Sequence, residues 1–145
     1  MINMNYLSLL IGGVAGTTLM TLFLILPRWM GWGKIDVLRA VGALFTRRKE
    51  GAMRRGMIIH LFLGILFAFI YAGFLSLSRL PFNVMTGLLL GSLHGVVIML
   101  LVSIVIMSHH AIAGYHEKGL GTGLAQLLAH IIYGATVGWV VQTLA

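Results

Sequence analysis

The chain has 145 residues, 59% of them apolar, with a mean hydropathy of +1.01, which excludes a soluble globular domain and leaves an integral membrane protein as the class. Ten Lys and Arg against three acids give a formal charge of +7, but these charges gather between apolar stretches, so anionic lipid head groups are the expected partner and nucleic acid is not. With no cysteine, disulfides, thiolate metal sites and an iron–sulfur cluster held by this chain are all excluded.

Four apolar stretches, about 6–26, 57–77, 82–107 and 124–144, approach the roughly 20 residues needed to cross about 30 Å of hydrocarbon, and little chain remains for anything but a single transmembrane domain. Met1 to Tyr6 lacks the basic region of a signal peptide, so the first stretch reads as a retained helix. It carries Gly12, Gly13, Gly16, Thr17, Thr18 and Thr21, which favour close packing on a neighbour, and ends at Pro27-Arg28 with Trp29 and Trp32 at interface depth. Residues 35–45 put Ile35, Leu38, Val41 or Gly42, and Phe45 on one face and Asp36 and Arg39 on another. That spacing predicts a short amphipathic helix on the cytoplasmic surface, with Asp36 capping it or pairing with Lys34 or Arg39.

The second stretch sets Ala52, Gly56, His60, Gly64, Ala68 and Ala72 at intervals of four, a side that should face protein. The connection over 76–83 is short and holds Pro81, which suits the first turn of the next helix, so the second and third spans are expected to be antiparallel neighbours. The third has Gly87, Gly91 and Gly95, with His94 one residue off that series, and ends at Ser108-His109-His110. After a loop holding His116, Glu117 and Lys118, the fourth places Gly119, Gly123, Gln126, His130, Gly134 and Gly138 close to one stripe. Arg28, Lys34, Arg39, Arg47, Arg48, Lys49, Arg54 and Arg55 lie between the first two spans and Lys118 between the last two, against Arg79 alone on the other side. This bias predicts cytoplasmic basic loops and both termini on the non-cytoplasmic side, with Arg47, Arg48, Lys49, Arg54 and Arg55 contacting head groups.

An internal duplication is suggested when Ile11 to Met20 is set against Leu90 to Met99: Gly12 and Gly16 fall on Gly91 and Gly95. His60 and Gly64 match His130 and Gly134 in the same way. Each repeat would be a helical hairpin, and two spans per repeat make the halves parallel, related by a pseudo-twofold along the membrane normal. The expected fold is therefore all-α, a polytopic four-helix bundle of two duplicated hairpins with a short cytoplasmic interfacial helix.

An ionisable side chain within a bilayer is by default a pointer to function. Two equivalent imidazoles at similar depth, His60 and His130, are placed to ligate a b-type haem, a (bacterio)chlorophyll or a metal from two sides, and His94 to serve a second group or the first one's surroundings. Set against this is a structural reading in which these histidines are neutral and bond to backbone carbonyls or to Thr17, Thr18, Thr21, Ser92 or Ser103. His109, His110, His116 and Glu117 are candidate metal ligands near the cytoplasmic surface, although consecutive side chains diverge by about 100°, which favours solvated or head-group-contacting histidines. No span carries Glu or Asp in its core, which excludes a carboxylate-bridged di-iron centre and disfavours a carboxylate relay.

Through Gly12-Gly13-x2-Gly16-Thr17, the His-x3-Gly pairs and Tyr133-Gly134, the chain resembles small uncharacterised four-helix membrane proteins of bacteria and archaea. The resemblance implies a compact bundle in a prokaryotic inner membrane and no assigned activity. The function expected is that of a small subunit of a larger membrane complex handling electrons, pigments or quinones, without catalytic activity of its own. Other membrane subunits or further copies of the chain are the expected partners. The alternative is an oligomeric channel or carrier for a small solute or metal ion, lined by His94, Gln126, Thr17 and Thr21.

Overall fold

The computed structural model describes residues 5–29, 36–44, 46–106, 109–115 and 120–144. Among them the chain is all-helical, with five α-helices and no strand: α1 (Tyr6–Trp29), α2 (Val37–Leu44), α3 (Ala52–Leu77), α4 (Val84–Leu100) and α5 (Leu120–Leu144). A π-helical run, Leu101–Ile106, continues α4, and a 3₁₀ turn, Ala113–Tyr115, follows it. Trp32, Lys34, Phe45, His116, Glu117, Lys118 and Gly119 lie outside the described residues, as do the side chains of Arg28, Trp29 and Ser103.

Three helices, α1, α3 and α5, are long and apolar enough to cross a membrane. The third predicted span differs from them: its α-helical part has 17 residues, about 26 Å at 1.5 Å per residue, and its remainder is wound as the π-helix. Its start is also displaced from the Pro81 expectation. Asn83 caps α4, its side chain accepting from Thr86 N–H at 3.1 Å while Asn83 N–H donates to Thr86 Oγ1 at 3.0 Å. This reciprocal capping box satisfies two backbone donors, which proline at the first turn does not do.

Successive long helices run antiparallel. Asn5 Nδ2 donates to Leu144 O, and Val84 N–H to Gln142 Oε1, both at 3.3 Å, so one end of the molecule gathers the starts of α1 and α4 and the end of α5. α5 packs along both α4 and α1, and α1 along α3. Small residues set these distances. Gly87 and Gly91 of α4 lie against the backbone of Gly134 and Gly138, Gly13 of α1 against Ile65 of α3, and Gly16 against Tyr133 and Val137 of α5. The expectation that the interval-of-four faces meet protein holds for Ala52, Gly56, Gly64, Ala68 and Ala72 of α3 and for Gly123, Gln126, His130, Gly134 and Gly138 of α5, all buried.

The exception is the pair expected to be neighbours. α3 and α4 are joined by a short turn but do not pack backbone to backbone along their length as the other pairs do. Rings bridge them instead, Phe67 and Tyr71 of α3 meeting His94 of α4. The glycines of α4 are turned toward α5, which leaves its bulkier side toward α3.

α2 also departs from the expected surface helix. Leu38, Ala40, Gly42 and Ala43 are buried, and the helix lies on α3 with Gly42 against Ala52 and Gly56 against Leu38. Val102, Ile98 and Tyr115 cover Ala40 from the other side. Asp36 behaves as expected, accepting from Arg39 N–H at 3.0 Å and pairing with Arg39 Nε at 3.1 Å. The link from α2 to α3 reverses at Gly51, whose φ of 65° is the left-handed conformation that glycine adopts without steric cost.

Candidate functional site: a buried histidine and tyrosine cluster

His94 and His130 are brought together by the glycine seam between α4 and α5. Gly91 and Gly95 admit the backbone of His130 and Leu127, and one position before Gly95 the His94 ring reaches the His130 ring edge-on, centroids 4.7 Å apart at 71°. His130 is 5% exposed. Its Nδ1–H donates to the Gln126 carbonyl oxygen one turn earlier at 2.7 Å. A carbonyl only accepts, so the proton is on Nδ1 and Nε2 keeps its lone pair.

Tyr71 fixes the other ring. Its hydroxyl is 3.0 Å from His94 Nδ1 and has no other acceptor among the described residues, so it donates there and the His94 proton sits on Nε2. Phe67 lies against the same imidazole, centroids 4.0 Å apart and tilted 30°. Tyr133 stands edge-on to Tyr71 at 5.9 Å, and its hydroxyl donates across to the Gly64 carbonyl oxygen at 2.5 Å, tying α5 to α3.

Three nitrogens here are buried and find no hydrogen-bond partner among the described residues: Nε2 of His60, Nε2 of His94 and the amide Nε2 of Gln126. Gln126 is 2% exposed, whereas His60 and His94 are half-buried residues whose Nε2 atoms are shielded. Of the two, His94 touches the His130 ring, and Gln126 lies one turn before His130 on α5. An orphaned buried N–H costs on the order of 1–3 kcal/mol, which falls most clearly on the Gln126 amide, the most deeply buried of the three. Of the hydroxyls offered by the structural reading, Thr17, Thr18 and Ser92 each donate to the carbonyl four residues back on their own helix, and none of the three bonds to a histidine.

A haem or chlorin does not fit between the rings of His94 and His130. The ring touching His130 is that of His94, in direct contact with no room for a macrocycle between them. α5 is also pressed against α4 through Gly91 and Gly95 and against α1 through Gly16 at neighbouring levels. Nor do three His, Asp or Glu side chains converge as a metal ligand set among the described residues.

The second group of sequence candidates divides. His109 is exposed, whereas His110 is 2% exposed and faces inward. His110 Nε2–H donates to the Ala40 carbonyl oxygen at 2.9 Å, and Nδ1 accepts from Ile112 N–H at 3.1 Å. Both nitrogens are occupied, so His110 fastens the 109–115 segment to α2 and offers nothing to a metal. His116 and Glu117 lie outside the described residues. Among the head-group candidates, Arg47, Arg48, Lys49 and Arg54 are exposed. Arg55 is turned inward: its Nε donates to Gly42 O at 3.0 Å and its Nη2 to Arg48 O at 3.1 Å, closing the link between α2 and α3.

Sequence reasoning found His60, His94, His130 and Gln126 but gave no role to Phe67, Tyr71 and Tyr133. Their signal was position, since Gly64, Phe67 and Tyr71 are spaced three and four apart, on one side of α3. No curated protein and no solved structure was found to match the chain. The family of unknown function DUF6789 matches residues 4–145, and the chain belongs to that family.

Proposed function

We propose that the chain is a small subunit of an electron-transfer membrane complex that holds a lipophilic, hydrogen-bonding ligand at the cluster of His94, Gln126 and His130. The observation that carries this reading is the pair of partnerless nitrogens of His94 and Gln126 on either side of the His130 contact, next to the α3–α4 seam that the rings of Phe67 and Tyr71 bridge. A ligand entering from the bilayer between α3 and α4 meets Phe67, Tyr71 and His94 first. Four membrane crossings, with α4 and its π-helical extension as the third, fit the antiparallel order of the helices. The positive-inside bias then puts the α2 end in the cytoplasm. In line with a duplication, α1 approaches α3 near Gly13 and Gly64 as α4 approaches α5 near Gly91 and Gly134.

The channel reading has less support. Thr17 is buried in the α1–α3 seam against Gly64, apart from the polar cluster, so the lining expected from the sequence does not form one path. The test is to purify the protein in a mild detergent, extract bound small molecules and identify co-purifying subunits by mass spectrometry, beside the Gln126→Leu variant. A stoichiometric lipophilic molecule lost in the variant supports the proposal. An empty protein whose Gln126→Leu variant is as stable as wild type, or more so, removes it, because the orphaned nitrogens would then be plain packing defects.

A further inference from the structure

Resting on that reading, we infer that the ligand is a quinone or quinol, its ring held by Gln126, His94 and His130 and its tail lying in the seam between α3 and α4. The site is an inventory of uncharged hydrogen-bonding groups. Gln126 Nε2 supplies N–H donors, and His94 Nε2–H is a donor because Tyr71 donates to the other ring nitrogen. His130 Nε2 is an acceptor because Nδ1–H is committed to the Gln126 carbonyl. A complementary ligand brings carbonyl oxygens to the donors and, in its reduced form, a hydroxyl proton to His130.

Its surroundings narrow the class further. The rings of Phe67 and Tyr71 border the His94 imidazole and Tyr133 borders Tyr71, and flat aromatic walls suit a planar ring. No Lys, Arg, Asp or Glu lies in the described part of α4, in α5 or in α3 beyond Arg55, so an anionic head group or the propionates of a tetrapyrrole would be left without a counter-charge. A simple acyl chain needs none of the donors. A quinone needs both the donors and the apolar approach, and the half-buried positions of Phe67 and His94 lie where its tail would leave for the bilayer.

The experiment is binding of decylubiquinone and of a short-chain menaquinone analogue to the detergent-purified full chain, followed by thermal stabilisation and by equilibrium dialysis. Saturable binding of at least one of them is expected. Gln126→Leu should weaken it about tenfold, the equivalent of about 1.4 kcal/mol for one lost hydrogen bond in a dry site. Phe67→Trp, which enlarges the ring packed on His94 and crowds the seam, should weaken it as well and serves if Gln126→Leu fails to fold. Binding unchanged in both variants overturns the inference. If neither quinone binds but a different lipophilic molecule co-purifies and is lost in Gln126→Leu, the quinone assignment is overturned and the ligand-binding reading survives. If nothing binds and the variants are no less stable than wild type, both fall.

Discussion

Replacing Gly134 with alanine tests whether glycine contacts set the fold. A methyl group there would strike the Gly87 carbonyl oxygen and lie 2.8 Å from Gly91 Cα and 2.9 Å from Gly91 N. Ordinary contact begins at 3.4 Å, so Gly91 Cα must retreat by 3.4 − 2.8, about 0.6 Å. Every obstructing atom is backbone, so no side chain can rotate away and α4 must move as a unit. A gap of this size forfeits about a quarter or more of the dispersion attraction along the seam. We expect a loss of about 3 kcal/mol, the upper part of the range for overpacked sites. The controls are Gly73→Ala, where nothing lies within 4 Å, and Gly12→Ala, whose nearest neighbour is Val137 Cγ1 at 3.4 Å. Reversible unfolding in mixed micelles should rank Gly73→Ala near neutral, Gly12→Ala slightly lower and Gly134→Ala far below both. A Gly134→Ala protein within about 0.5 kcal/mol of Gly73→Ala would refute the reasoning.

Tyr133→Phe deletes the hydroxyl that reaches Gly64, and the same unfolding assay should show a loss of about 1 kcal/mol, typical of interhelical hydrogen bonds in membranes. His110→Ala leaves the Ala40 carbonyl and the Ile112 N–H without their partner, at a cost of about 1–3 kcal/mol confined to the α2 end. Hydrogen exchange over residues 37–44 and tryptic cleavage at Arg47 to Lys49 should both accelerate, with the long helices unaffected. Because the chain lacks cysteine, single cysteines at Thr46 and Ser78 give clean topology markers. A membrane-impermeant thiol reagent should label them from opposite sides, Thr46→Cys from the cytoplasm, and labelling of both from one side would contradict the antiparallel crossing of α3.

The seams were legible in the sequence because close contact between membrane helices requires small residues, and a series of four-residue intervals has few other uses. Their partners were not legible. His94 reads as an isolated midplane histidine, and only the rotation of α4, fixed by Gly87 and Gly91 turning to α5, carries its ring onto His130. The apolar face of α2 was legible in part: Leu38 and Gly42 do meet α3, while Ala40 and Ala43 extend the buried face and Ala40 reaches the π-helical end of α4. Adjacent His109 and His110 carried their own hint, since neighbouring side chains on a helical turn cannot both face solvent equally. Nothing in the spacing says that His110 is the inward one, because that depends on where the Ala40 carbonyl lies.

The proposed repeat sharpens the case for the α3–α4 seam. Under its alignment Ala15 of α1 corresponds to His94 of α4, and Val137 and Val141 of α5 to Phe67 and Tyr71 of α3. The α1–α5 seam, with Gly12 and Gly16 against Val137, closes to van der Waals contact. Its pseudo-symmetric counterpart carries an imidazole and two aromatic rings in place of alanine and valines, so its backbones stay apart and its polar atoms stay unpaired. A chain carrying His94→Ala, Phe67→Val and Tyr71→Val together restores the small side chains of the closed seam. It should bring α3 and α4 together, raise stability by removing the orphaned His94 nitrogen, and abolish ligand binding. Spin labels on exposed positions of α3 and α4 would report the approach. Unchanged label distances would show that the turn over 78–83, and not side-chain bulk, holds the two helices apart.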